Sequence, residues 1–249
     1  MVVSFDMKAS HLRIASYNLQ KCVGLDLRRR PDRSLSVINA IGADLVVLQE
    51  ADKRLPPRPA ALPHAMIEAD GWHVLPFGAP GGSLGWHGNA MLVRQDIQLN
   101  RSSHLELPGL EPRGAVHADL STPIGPLRVV GVHLGLVRRH RHLQLAAIMR
   151  ALRDLPECPT LIAGDFNEWR AMSGLEATAK GMTFLPGAPS FPSPRPVAQL
   201  DCFAIGPGLT ALRSGTHSNR PARIASDHLP VWVDIAPAPA NRLAAPRRA

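Results

Sequence analysis

The chain has 249 residues, 45% hydrophobic and 4% aromatic, with 28 basic against 20 acidic side chains and a formal charge of +8. Such a length suits one large core, as in many α/β domains, and no run of ~18 apolar residues offers a membrane-spanning helix. The positive charge would steer an anionic substrate and keeps nucleic acid among the candidates without requiring it.

Residues 1–10 are expected to be a flexible lead-in, and Asp6 interrupts the apolar stretch that a signal peptide needs. Residues 12–17 have strand character and end at Asn18. Pro31 opens a helix whose apolar face is Leu35, Val37, Ile38 and Ile41, and Gly42 stops it. Residues 44–48 form a buried strand ending at Gln49-Glu50, which completes a strand–helix–strand unit. The middle reads as strands at 72–76, 89–94, 115–120 and 127–133, separated by Gly and Pro clusters. A helix over 138–155 is expected to bury Leu143, Leu145, Ala146, Ile148, Met149 and Leu152. Strands at 160–163, 200–205, 209–214 and 231–235 follow. A catalytic domain over 11–236 and a disordered Pro/Ala/Arg tail at 237–249 complete the expected organisation. Cys22, Cys158 and Cys202 are odd in number and scattered, which suits reduced thiols and a cytoplasmic location better than a disulfide frame or a zinc site.

Polar side chains border these runs. Asn18, Glu50, His133, Asp165, Asn167, Asp201 and the pair Asp227-His228 each adjoin a strand-like segment, where a loop-lined cleft would meet a ligand. Singly, each has a plain reading: a turn asparagine, a solvated strand end, a core histidine, an Asx turn, a loop cap. Together, five strand ends carrying metal- and phosphate-competent groups are hard to attribute to turns.

The ordered segments Ser16-Tyr17-Asn18, Leu48-Gln49-Glu50, Gly88-Asn89-Ala90-Met91-Leu92, Val132-His133-Leu134, Gly164-Asp165-Phe166-Asn167, Leu200-Asp201 and Ser226-Asp227-His228-Leu229-Pro230 resemble the motif series of the endonuclease/exonuclease/phosphatase superfamily. The resemblance implies an α/β fold of four layers, two facing mixed β-sheets flanked by helices, with the cleft at the sheet ends. It supports Glu50 as the principal metal ligand, Asp227 as a second contact, Asp201 as the carboxylate that orients His228, and Arg113 as a basic phosphate-binding position. The carboxylate that partners the equivalent of His133 in the deoxyribonuclease branch has no match near Gly88.

The residues carry their own chemistry. Magnesium, with manganese as a substitute, takes oxygen ligands and keeps several waters, so Glu50 with the amide oxygen of Asn18 would serve. Asp165 would orient or deprotonate the attacking water, while Asn167 and Asn18 face the phosphate. His228 would be held protonated to meet phosphoryl charge, and His133 would face it as a second phosphate ligand or acid. A phosphodiesterase or nuclease is the first expectation. A hydrolase of small or lipid-headgroup phosphoesters, and a non-catalytic binding module on the same fold, are the alternatives. One or two metals, and endo or exo action, are left open. The run Arg138-Arg139-His140-Arg141-His142 reads as a solvated helix start or a phosphate contact. Trp86 and Trp169 are the aromatics nearest the site segments, and neither begins a stacking ladder. No protein partner is indicated.

Overall fold

Runs of aliphatic residues that are apolar on both faces build strands buried on both sides, and this chain arranges them in two sheets. The computed structural model describes residues 10–55, 57–79, 82–170 and 172–239. The expected lead-in up to residue 9 and the tail from residue 240 lie outside them.

The first sheet contains β1 (Leu12–Asn18), β2 (Leu45–Gln49), β3 (His73–Val74), β4 (Ala90–Val93), β11 (Leu209–Thr216) and β12 (Val231–Pro237), in the order β11-β12-β1-β2-β4-β3. The second contains β5 (Gln98–Glu106), β6 (Gly114–Thr122), β7 (Gly125–His133), β8 (Thr160–Asp165), β9 (Thr183–Phe184) and β10 (Asp201–Ile205), in the order β5-β6-β7-β8-β10-β9. Each sheet has one parallel pair, β1 with β2 and β7 with β8. A parallel pair needs a crossover, and the helices α1 (Pro31–Ile41) and α3 (Arg138–Arg153) supply them. Shorter helices are α2 (His64–Ala69), α4 (Ser173–Glu176) and α5 (Ala222–Ala225).

Side-chain alternation then makes the layers. Ile14, Leu45, Val47 and Met91 meet Val116, Val129, Leu161 and Ala163 between the sheets. On the outer face of the first sheet, Ala15, Val46 and Leu48 pack against Leu35, Val37, Ile38 and Ile41 of α1. On the outer face of the second, Val130, Val132 and Ile162 pack against Leu145 and Ile148 of α3. The result is the expected four-layer sandwich, helix–sheet–sheet–helix.

Several elements depart from expectation. The polar segment QLNRSSHLE forms β5, which reads poorly as a strand because it is an edge strand and largely exposed. Only His73–Val74 of the strand expected at 72–76 pairs. Leu143 is 46% exposed, and Arg141 and Gln144 are buried on α3 instead. Most of their polar groups find partners there: Arg141 donates from Nη1 to the carbonyls of Gly135 and Leu136, and Gln144 accepts from the Gly135 N–H at 2.8 Å, while Arg141 Nε is left without a partner. β12 runs to Pro237, which pairs with Leu209, one residue beyond the expected boundary.

Candidate active site

Strand register brings the polar strand ends together. His133 at the end of β7 lies beside Asp165 at the end of β8, and Asp201 opening β10 lies opposite Asp165 on its other side. Paired residues project to the same face of a sheet, so the three form a row. In the other sheet Asn18 pairs with Gln49, which sets Glu50 just past the strand end. β12 opens with Val231 opposite Ser16, so Asp227 and His228 arrive at the same end.

Asp165 is the hub. Its Oδ2 accepts from the Asn18 side-chain N–H at 3.1 Å and its Oδ1 from the backbone N–H of Asn167 at 2.9 Å. His133 Nε2 and His228 Nε2 stand 3.4 Å and 3.7 Å from Oδ2. Asp201 Oδ2 lies 2.8 Å from His228 Nδ1 and accepts the Ser190 hydroxyl at 2.6 Å. On the other flank, Arg113 donates from Nη1 to His133 Nδ1 at 2.8 Å and from Nε to Glu111 at 3.1 Å. A guanidinium has no acceptor, so Nδ1 of His133 must accept and its proton sits on Nε2, toward Asp165.

The electrostatics differ across the hub. Burial, then the charge of Arg113, holds His133 well below its ordinary pKa, so this imidazole is neutral. Burial pushes His228 the same way, but the charge and hydrogen bond of Asp201, with Asp165 and Asp227, carry it up to about 10. Burial and then the charge of Asp201 raise Asp165, against His228 and the donors from Asn167 and Asn18. Two imidazoles on one carboxylate thus have opposite protonation.

Metal-competent oxygens lie beside this hub. Glu50 has φ 50°, a left-handed conformation that costs energy in a non-glycine residue and recurs at functional sites. Gly88 packs against it, itself at φ 81°, a conformation that favours glycine. The ammonium of Lys21 is paired with the Glu50 carboxylate. Burial raises the Asp227 pKa and the charge of Glu50 raises it further, against His228. Two carboxylates within each other's field, one already holding a cation, are oxygen donors of the kind a hard divalent ion takes; the Asn18 amide oxygen, which accepts the Gln20 N–H at 3.1 Å, has a lone pair to spare for it. Asp165, Asp201 and His228 also place donor atoms within 4.8 Å of one another. Their hydrogen-bonding distances and the imidazole suit a proton relay better than magnesium.

Every residue singled out from the sequence thus lies at one end of the sandwich. Glu50, Arg113 and His133 line a cleft of about 270 Å³, and Asp165, Asn167, Asp201 and His228 are buried beside it. Arg113 retains part of its five donors for a ligand. Asn167, at φ 51°, also donates from its side chain to the Leu134 carbonyl at 2.9 Å. The basic run at the start of α3 divides: Arg141 pairs with buried Glu168 at 3.2 Å, and Arg138 approaches the same carboxylate at 3.6 Å. Trp86 stacks on His104 at 4.7 Å. Trp169, 61% exposed, meets Phe191 edge-on, and Phe191 lies 5.0 Å from the His228 ring. Lys21, Ser190 and Phe191 were missed because each acts through a partner distant in sequence, and Glu111 because it acts only through Arg113. Only the adjacency of Glu111 to Arg113 was a local signal.

Comparisons with known proteins bear on the family and the fold. The Endonuclease/Exonuclease/phosphatase family matches residues 15–228. The uncharacterized protein YbhP of Escherichia coli K12 is 32% identical over 170 residues, 61% of this chain and 63% of its own length. The match therefore spans less than two thirds of that relative. A humanized D. rerio TDP2 shares the fold with a TM-score of 0.72 at 17% identity, over 91% of this chain and 99% of its own. A mannosyl-6-phosphatase of Bacteroides thetaiotaomicron gives 0.70 at 20% identity, over 90% and 99%. The human Nocturnin catalytic domain with a bound sulfate gives 0.66 at 17%, over 94% and 96%. At such identities the structural likenesses establish the fold alone.

Proposed function

Because the chain belongs to the endonuclease/exonuclease/phosphatase family, we propose that it is a divalent-metal-dependent phosphodiesterase or nuclease. The observation that carries this reading is the Asp165 carboxylate, fixed by Asn18 and Asn167 between one neutral and one protonated imidazole. Magnesium, or manganese in its place, held by Glu50 with Asn18 and Asp227, would neutralise phosphoryl charge. Asp165 orients the attacking water and takes its proton as the oxygen reaches phosphorus. His228, kept cationic by Asp201, offsets the negative charge that grows on the phosphoryl oxygens. The Nε2–H of His133, the side-chain amide of Asn167 and the spare donors of Arg113 bind the same oxygens. Residues 11–236 act as one catalytic domain, working in the cytoplasm.

A second reading, hydrolysis of small or lipid-headgroup phosphoesters, is favoured by the scarcity of aromatics. Only Trp169 and Phe191 flank His228, short of the stacking platform of strand-binding grooves. The test is a substrate panel of DNA, RNA, bis-p-nitrophenyl phosphate and phospholipid headgroups, run with magnesium, with manganese and with chelator. Metal-dependent cleavage of diesters is expected, lost with chelator and in Glu50→Ala. Cleavage of small diesters with no cutting of any polynucleotide would establish the second reading. Equal inertness of wild type and Glu50→Ala would instead leave a binding module.

A further inference from the structure

The cleft does not end at the reaction centre. Beyond Glu50 and His133 its wall is made by Lys53, Arg54, Arg58 and His87. Lys21 and Arg113 in the same cleft are matched by Glu50 and Glu111. Lys53, Arg54 and Arg58 have no carboxylate partner within 4.0 Å among the described residues. The wall is also a built one. Arg58 at φ 54° and His87 at φ 50° are both held in the left-handed region, and their side chains meet, Nη1 to Nδ1, at 3.2 Å. As at His133, the arginine can only donate, so His87 carries its proton on the other ring nitrogen, which meets the Pro112 backbone, and the ring holds Arg58 in place. Asp52 anchors the segment that bears these cations, accepting the backbone N–H groups of Leu84 and Gly85 at 2.6 Å and 3.2 Å.

We propose that Lys53, Arg54 and Arg58, the last held by His87, form a second phosphate subsite, so that the substrate carries another phosphate beside the scissile one. The inference rests on the proposed phosphodiesterase reading and narrows its substrate class. The scissile group is already served by Glu50, Arg113, His133 and Asn167, and the extra cations lie in the same cleft but outside that set. Guanidinium and ammonium donors are the chemistry of phosphate recognition. A neutral ester or a lone monoester would leave them unused.

The test compares thymidylyl-thymidine with its 5′-phosphorylated and 3′-phosphorylated forms, which differ only by a phosphate on one side or the other. In wild type one of the two added phosphates raises kcat/KM by about tenfold or more, as charge-assisted contacts do. In Lys53→Ala/Arg58→Ala that gain disappears, while the loss on unphosphorylated dinucleotide is at least several-fold smaller. A further gain with longer oligothymidylate identifies a strand as the source of the second phosphate, and none identifies a small bisphosphate. Equal kcat/KM for all three dinucleotides in wild type, or a gain retained in the double variant, overturns the subsite. If no diester is hydrolysed, the catalytic reading fails on its own. The subsite is then decided by calorimetric binding of inorganic pyrophosphate, which wild type should hold at least tenfold more tightly than the double variant. Equal binding overturns it.

Discussion

The four heavy-atom contacts around Asp165 decide what each neighbour can do. Asp165→Asn keeps the shape and removes the proton acceptor, so turnover should fall by about 10²–10⁴. Circular dichroism and the urea midpoint should stay near wild type, and a normal rate would remove Asp165 from the reaction. Asp201 acts on both partners of the relay, because its charge raises Asp165 and its charge and hydrogen bond raise His228. The active form has Asp165 ionised and His228 protonated. Asp201→Asn lowers both pKa values, so the acid and the basic limbs of the kcat/KM profile should both move to lower pH. Limbs that stay put, or move in opposite directions, would contradict the assignment. Asn18, Glu50, Asp165 and His228 were legible because each borders an apolar run. The protonation contrast between His133 and His228 was not, since it depends on Arg113 and Asp201 approaching through the fold.

Elements were legible where burial was two-sided. β1, β2, β7 and β8 carry apolar runs that leave little choice. β5 was not legible, because it is an exposed edge strand; on α3 the burial of Leu145 and Ile148 was legible but that of Arg141 and Gln144 was not, because they are held by specific partners rather than by hydrophobicity. Arg141 on α3 and Glu168 after β8 form an ion pair with side chains 4% and 1% exposed. Through it the crossover helix is tied to the loop carrying Asp165 and Asn167. Glu168→Ala leaves a buried guanidinium uncompensated and should cost about 3–5 kcal/mol, read from urea unfolding. A cost near zero would mean that Arg141 is satisfied by the Gly135 and Leu136 carbonyls alone.

The proposed site draws residues from both sheets, so the proposed reaction depends on how the sheets seat. At Gly131 on β7 the sheets approach closely: a Cβ there would lie 2.8 Å from Val47 Cγ1 and 3.2 Å from Met91 Cε. Gly131→Val wedges the sheets apart and should cost about 1–3 kcal/mol. Turnover should fall in the fully folded variant, although residue 131 touches no site group. Wild-type kcat with reduced stability would mean that the two halves tolerate relative displacement.

β12 is the last strand among the described residues, yet it sits inside the first sheet between β11 and β1, with Asp227 and His228 immediately ahead of it. Chains are made and fold from the N-terminus, so a ribosome-bound precursor can hold Glu50, His133 and Asp165 while the closing piece is still unsynthesised. Under the proposed function, a chain that stops short of Asp227 and His228, just ahead of β12, is disarmed by its own topology. The first detectable turnover would serve as a clock for the insertion of that final segment.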